Sequence, residues 1–227
     1  MMAVLYIIGT PIGNLGDISF RAVETLKKAD LVACEDTRHT LKLLNHLGIR
    51  VKMLSCRSHN EKSAANKVLQ ALAQGQTVAY TSDAGTPSLS DPGAVLAAMA
   101  VQAGHDVIPI PGPSAFASLL SVAGGRDKTI VFEGFLSPKP GRRKSRLSQL
   151  MLMDGACILF ESPFRILKLL EDITEIDKER YVCIGREMTK IHEEYIRGSA
   201  AEVLAVLSQK KEQKGEFSVF ISGIKFN

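Results

Sequence analysis

Four polar, glycine-bearing segments punctuate the first half of the chain: GTPIGNLGD (Gly9 to Asp17), EDTR (Glu35 to Arg38), SDAGTPSLSDPG (Ser82 to Gly93) and PGPSA (Pro111 to Ala115). Glycine lets a backbone approach a ligand closely, and carboxylates such as Asp83 face cationic or amine groups, so together they describe a pocket wall. Each has a plainer reading by itself. GTPIGNLG is neither GxGxxG nor GxxxxGK[ST], which leaves a dinucleotide or nucleoside-triphosphate site unsupported. Asp91 and Pro92 before Gly93 make an ordinary helix start. The acids of EDTR favour a helix dipole without any further role, and Arg38 either meets a phosphate or pairs with Glu35. A fifth segment, KPGRRKSR (Lys139 to Arg146), packs five basic residues into eight positions with no acidic neighbour in the sequence. In its Pro-Gly context it reads as a flexible loop, either a solvated face or a phosphate-contacting one.

These segments need elements to hold them. Short apolar runs alternate with helical patterns through the first half, the arrangement of parallel strands with helical crossovers. Strands are expected at Ala3 to Gly9, Leu31 to Cys34, from Val51, at Thr77 to Ser82 and at Asp106 to Ile110. Helices are expected at Ile18 to Lys28 with Asp17 as N-cap, through LKLLNHLG to Gly48, at Glu61 to Ala73 closed by Gly75, and at Gly93 to Ala103. In an open parallel sheet, ligands collect beyond the carboxyl ends of the strands, where the four glycine-bearing segments fall. After Pro109, Pro111 and Pro113 the rhythm changes. A helix is expected from Ser114 to Ala123, strands at TIVFEGF, CILFES and YVCIGRE, a helix from Phe164 to Asp172, and an antiparallel strand at EFSVFISG. The expected architecture is α/β in two domains, residues 1–111 with a five-stranded parallel sheet and residues 112–227 with a mixed one.

Composition narrows the class. The chain has 227 residues, 45% of them apolar, enough for a substantial core, and a net charge of +4 that permits an RNA partner without requiring one. Cys34, Cys56, Cys157 and Cys183 form no CxxC pair, against a zinc site or a disulfide scaffold, and no metal is expected. The start lacks the basic head and cleavage site of a signal peptide. The longest uncharged stretch, Val107 to Gly125, carries three prolines and makes a poor membrane span. A cytoplasmic location is expected. With 6% aromatic residues and no Trp, the chain lacks the stacking face of a general RNA-binding module.

Nine segments carry a family resemblance, in order along the chain: TPIGNLGDIS, EDTRHT, HNE, SDAGTPSLSDPG, PGPSA, FEGFLSPK, ESPFR, REMTKIHEE and the GE pair Gly215 and Glu216. In them the sequence resembles the tetrapyrrole-methylase-fold enzymes, and among these the ribosomal RNA small subunit methyltransferase I family, which methylates a cytidine 2′-hydroxyl in the decoding region of 16S rRNA. The resemblance implies S-adenosylmethionine in a cleft between the two domains. Its contacts would be Ile12, Asp83, Gly85 and Thr86, then Ser114 and Ala115, with Phe160 and Glu161 from the second domain. It also implies a homodimer acting on 16S rRNA in the small ribosomal subunit. Asp36, His59 and Glu61 become the expected general bases, an imidazole being suited to proton transfer near neutrality. Arg38, Lys139, Arg142, Arg143, Lys144 and Arg146 become the expected RNA contacts.

Two features depart from the family pattern. Phe164 stands in ESPFR where a histidine is usual, and the chain ends at Asn227 where many members carry a further small helical domain. Two rival readings remain at this point: a methylase of the same fold acting on a tetrapyrrole or a protein, and a non-catalytic rRNA-binding assembly factor.

Overall fold

The computed structural model describes residues 3–57 and 59–223. The chain divides into two compact units, residues 1–114 and 115–227.

The first unit contains β1 (Val4–Ile8), α1 (Phe20–Lys28), β2 (Leu31–Cys34), α2 (Thr37–His46), β3 (Lys52–Ser55), α3 (Glu61–Ala73), β4 (Val78–Thr81), α4 (Ala94–Gln102) and β5 (Asp106–Ile110). Its strands form one parallel sheet in the order β3-β2-β4-β1-β5. Side chains alternate across a strand, so each face of the sheet builds its own core. Leu5, Ala33, Val78 and Tyr80 pack with Ala65, Val68 and Leu72 of α3 and Leu96 of α4. Ile8, Val32, Cys34 and Ala79 pack with Ala22 and Leu26 of α1 and Leu44 of α2. Helices α1 and α2 therefore cover one face and α3 and α4 the other. The chain leaves β1 and its neighbour β4 toward opposite faces, which opens a crevice at their carboxyl ends.

The sequence expectation erred at one helix start. Asp17 lies in a short 3-10 turn, Leu15–Asp17, and the N-cap of α1 is Ser19, whose hydroxyl accepts the Ala22 N–H. Both residues are good caps, and local sequence does not choose between them.

The second unit contains α5 (Ala115–Ala123), β6 (Ile130–Phe135), α6 (Pro140–Met151), β7 (Ala156–Glu161), α7 (Ile166–Ile176), β8 (Tyr181–Arg186), β9 (Glu194–Ser199), α8 (Ala200–Ser208) and β10 (Phe217–Ile221). Its mixed sheet runs β6-β7-β10-β8-β9, with β6 parallel to β7 and β10 antiparallel to both its neighbours. Every residue of the central β10 is buried. Residues 224–227, at the end of the expected second domain, lie outside the described residues.

Three elements were not expected. Strand β9 completes the sheet edge against β8, and α8 follows it behind a Ser199–Glu202 capping box. The third is α6, which replaces the expected flexible loop at Lys139 to Arg146. Pro140 occupies its first turn, where the missing N–H costs nothing, and Leu147, Leu150 and Met151 supply the buried stripe. Pro-Gly reads as a loop only if this downstream apolar spacing is ignored.

Candidate functional site

Three loops of the first unit are tied together at the carboxyl end of its sheet. Thr10 and Gly85 exchange backbone hydrogen bonds of 2.9 and 3.0 Å, joining the loop after β1 to the loop after β4. Gly9 lies against Gly112, so close that a Cβ on Gly112 would stand 2.5 Å from the Gly9 carbonyl oxygen. Only glycine fits there. The Thr86 hydroxyl donates to the Pro113 carbonyl at 3.2 Å, fastening the loop after β5 to the same group. Gly85, with φ of 76°, sits where an added Cβ would lie 3.2 Å from the Ile12 side chain. Of the expected cofactor residues, Ile12, Asp83, Gly85, Thr86 and Ser114 thus belong to these tied loops. Ser88 and Ser90, in the loop after β4, hold left-handed φ angles of 72° and 66°, a conformation non-glycine residues adopt at a cost of about 1–3 kcal/mol.

Acidic groups from the ends of β2 and β4 interlock beside these loops. The Asp36 N–H donates to Asp83 Oδ1 at 3.0 Å, and the Asp83 N–H donates to Glu35 Oε2 at 3.4 Å. Asp36 caps α2 by accepting the Arg38 N–H, and takes the Arg38 guanidinium at 2.6 Å. Arg38 therefore pairs with Asp36, not with Glu35 as the sequence reading allowed; the cap places the Asp36 carboxylate beside the guanidinium two residues on. Those Arg38 bonds, joined by the charge of Arg57, hold the Asp36 carboxyl far below the ordinary carboxylate range. Glu61 is also engaged: its carboxylate accepts the Gly93 and Val95 N–H groups at 2.8 and 3.2 Å, capping the start of α4. His59 is exposed in the turn before α3.

Asp91 is the group that the sequence reading passed over as a helix-start residue. Burial, followed by the charges of Glu35 and Asp83, raises its carboxyl to about 6, against a lowering bond from Ser82. Glu35 is raised as well, first by burial and then by Asp83. No local pattern marks Asp91, because its neighbours arrive from β2 and β4.

Within the same unit a small cavity of about 40 Å³ is lined by Thr10, Pro11, Leu15, His39, Thr40, Leu43, Thr81, Ser82 and Asp83. It occupies the crevice that the topology opens between β1 and β4.

In the second unit the expected residues are mostly engaged with their own surroundings. Ala115 begins α5. Phe160 meets Phe132 and Phe135 edge-on at 5.1 and 5.8 Å. Glu161 is buried and accepts bonds of 2.7 Å from the Ser162 N–H and the Arg165 guanidinium. Phe164, the departure from the family pattern, is 89% exposed.

The basic segment has acidic neighbours in space, though none in sequence. Arg143, only 5% exposed, binds Asp172 of α7 at 2.6 Å. Lys144 pairs with Glu175 at 2.6 Å, and Arg146 forks onto Glu133 of β6 through two bonds of 2.7 Å. Lys139 and Arg142 are exposed. Among the described residues no helix is long and apolar enough to cross a membrane.

Comparison with known proteins defines the class first. Residues 4–204 match the family model described as tetrapyrrole (corrin/porphyrin) methylases. Two solved structures share the fold at low identity: a cobalt precorrin-4 methyltransferase at 16% identity, with a TM-score of 0.68 and coverage of 96% of this chain and 94% of that one, and a diphthine synthase at 17%, with 0.69 and coverage of 99% and 91%. The two-domain α/β methyltransferase fold expected from the sequence is therefore present.

The relatives then narrow the class. A protein of Borrelia garinii subsp. bavariensis named ribosomal RNA small subunit methyltransferase I is 46% identical over 96% of this chain and 98% of its own length. Its namesake from Thermotoga maritima is 43% identical over 98% of this chain and 99% of its own length, and one from Synechocystis is 44% identical over 98% and 80%. The chain belongs to the ribosomal RNA small subunit methyltransferase I family and is a methyltransferase.

Proposed function

We propose that this protein transfers a methyl group from S-adenosylmethionine to the ribose 2′-hydroxyl of a cytidine in the decoding region of 16S rRNA. The observation that carries the reading is near-full-length identity of 41–46% to relatives that bear a small-subunit rRNA methyltransferase name. The tied loops fit such a cofactor. Gly85 leaves uncovered the space above Ile12 that a Cβ would fill, and the Asp83 carboxylate offers an acceptor to a cationic or amine group. Ile12, Asp83, Gly85, Thr86 and Ser114 would hold it. When bound, the cofactor supplies an electrophilic methyl group on a cationic sulfonium.

The chain's own task is to fix the acceptor hydroxyl and receive its proton. Positioning can supply several powers of ten in such a displacement, and loops locked by the Thr10–Gly85 and Gly9–Gly112 contacts are suited to it. A ribose hydroxyl is a weak nucleophile and gains from a base. Asp36 is held ionised by Arg38, and Glu61 is committed to the α4 amides. His59 keeps the role that the resemblance implies, and Asp91, with its carboxyl raised to about 6, joins it.

The test is transfer of labelled methyl groups to small ribosomal subunits from a strain lacking this activity, followed by alkaline hydrolysis. A labelled dinucleotide that resists hydrolysis is expected. Label released as mononucleotide would place the methyl on a base and overturn the 2′-oxygen assignment. Incorporation into a tetrapyrrole or a protein instead would overturn the RNA reading.

A further inference from the structure

The chain carries 24 Asp and Glu in 227 residues, yet none lies between Thr37 and Asn60. That stretch holds Arg38, Lys42, Arg50, Lys52 and Arg57, together with His39, His46 and His59. It forms α2, the turn after it and the edge strand β3. The buried stripe of α2 is Thr40, Leu43 and Leu44, so its other side presents Arg38, His39, Lys42 and His46 to solvent. Arg38, Lys42 and His46 follow one another at steps of four and stand in one row. Arg50 is exposed beyond the helix end.

The row differs from the basic run of α6 in what surrounds it. Arg38 leans on Asp36 with its side chain still 83% exposed, and Arg57 reaches the same carboxylate at 3.5 Å. Lys42 and Arg50 form no ion pair among the described residues. Glu24, the one acid of α1 on the same sheet face, is held by Lys27 at 3.0 Å. Like charges one turn apart repel and weaken a helix, so an acid-free cationic row does not serve the stability of α2.

Position ties the row to the site. His39 lines the small cavity with Thr10 and Asp83, so the first turn of α2 stands at the rim of the crevice. The helix runs away from it by about 1.5 Å per residue, which sets His46 roughly 10 Å further on. The rim itself is acidic, with Glu35, Asp36 and Asp83 interlocked at the ends of β2 and β4. A polyanion is repelled by that rim and attracted by the row beside it. Charge complementarity selects a chain of phosphates that reaches the crevice along α2.

We propose that Lys42, His46 and Arg50 bind the phosphates of the RNA strand flanking the acceptor nucleotide, with Arg38 at the head of the row. The inference rests on the proposed RNA reading and deepens it, giving the substrate a contact surface besides Lys139 and Arg142. Phosphate contacts fix the register of a strand without reading its sequence, so the row positions the acceptor and does not choose it.

The test is K42A/R50A, read by filter binding of a 16S rRNA transcript across a salt series. Two lost phosphate contacts should lower the magnitude of the slope of log K against log salt by about 1.4 to 1.8. KM for small subunits should rise with little change in kcat, and the Kd for S-adenosylmethionine should hold. Tm should be unchanged or slightly higher, because repulsion along α2 is relieved. Lys52 supplies the control. Val51 and Met53 pack toward the α1–α2 layer and Leu54 toward the other, so Lys52 is an exposed cation off the row. K52A should leave the slope where it is. An unchanged slope in K42A/R50A would overturn the proposal, as would an equal fall per charge in K52A, which would mean that net charge alone acts. Loss of subunit binding with the transcript slope intact would assign the row to a ribosomal protein and overturn it too. If wild type binds the transcript but leaves subunits unlabelled, the reading of the acceptor fails and the slope still decides this one. A wild type that binds no RNA overturns both.

Discussion

The loops at the carboxyl edge of the first sheet and the basic helix α6 of the second unit are both dense in polar groups, yet their bonding differs. On α6 three of the four charges are consumed, Arg143 by Asp172, Lys144 by Glu175 and Arg146 by Glu133, and Arg142 is exposed. At the loop edge, groups are left with unmet capacity. Thr10 and Thr81 have unpaired hydroxyls, Asp91 carries a raised carboxyl, and Ser88 and Ser90 hold left-handed backbone. A folded chain normally satisfies its buried polar groups, so the unpaired hydroxyls at the loop edge stand apart from the paired charges of α6. A run of arginines announces itself in the sequence and turns out to be mostly packing.

The comparison breaks most visibly at Arg143. The variant R143A leaves Asp172 buried without its guanidinium, with only Lys144 Nζ at 3.7 Å remaining. A loss of about 3 kcal/mol is expected, near the lower end for a broken buried pair. Thermal melting should show a fall in Tm on the order of 10 °C. Cofactor binding per folded molecule should not change. A Tm shift of only a degree or two would mean that α6 is not held by this pair.

A smaller stability loss but a sharper functional one is expected at Gly112. In G112A the new Cβ would stand 2.5 Å from the Gly9 carbonyl oxygen, so the loops after β1 and β5 must part. Overpacking of this kind costs about 1–3 kcal/mol. The cofactor Kd should rise well beyond what the stability loss explains, which calorimetry at a temperature far below Tm would reveal. Intact affinity would show that the loop contact is not needed for the site.

Asp91 sharpens the same contrast through pH. Its carboxyl is raised from 3.8 to about 6, so between those values the folded state holds more proton than the unfolded state. Stability from this group therefore falls as pH rises through that window and stays lower above it. In D91N that dependence disappears. Because Asp91 is only about half-buried, the gain at pH 7 is about 1 kcal/mol after screening, and near pH 3 the variant gains nothing. Guanidinium melts at both pH values measure the difference. If the carboxyl also accepts the substrate proton, D91N lowers kcat and removes the acidic limb of the rate profile near pH 6.

Much of the fold was legible because periodicity reports burial. The five strands of the first sheet were readable, and α3 falls at Glu61–Ala73 as its spacing predicts. The elements that escaped were those whose signals compete. Pro140-Gly141 masks α6, and β9, EYIRGS, has no clean period of two and sits among charged neighbours. The site was legible as motifs but not as roles. That Asp36 serves Arg38, that Glu61 caps α4 and that Asp91 meets Glu35 are facts of strands brought together, and no sequence window contains them.

The smallest expected effect lies on the exposed side of α6. Lys139 and Arg142 are exposed and, unlike the also exposed Arg146, have no carboxylate partner among the described residues, while Arg143 is buried. Removing them in K139A/R142A should change Tm by less than about 2 °C, since exposed charges contribute little to stability. If they meet phosphates, each released counterion contributes to the salt dependence of RNA binding, and the slope of log K against log salt should fall in magnitude by about 1.5 to 2. Filter binding of rRNA across a salt series, with cofactor affinity as the control, separates the outcomes. A slope that does not move would leave α6 entirely to packing.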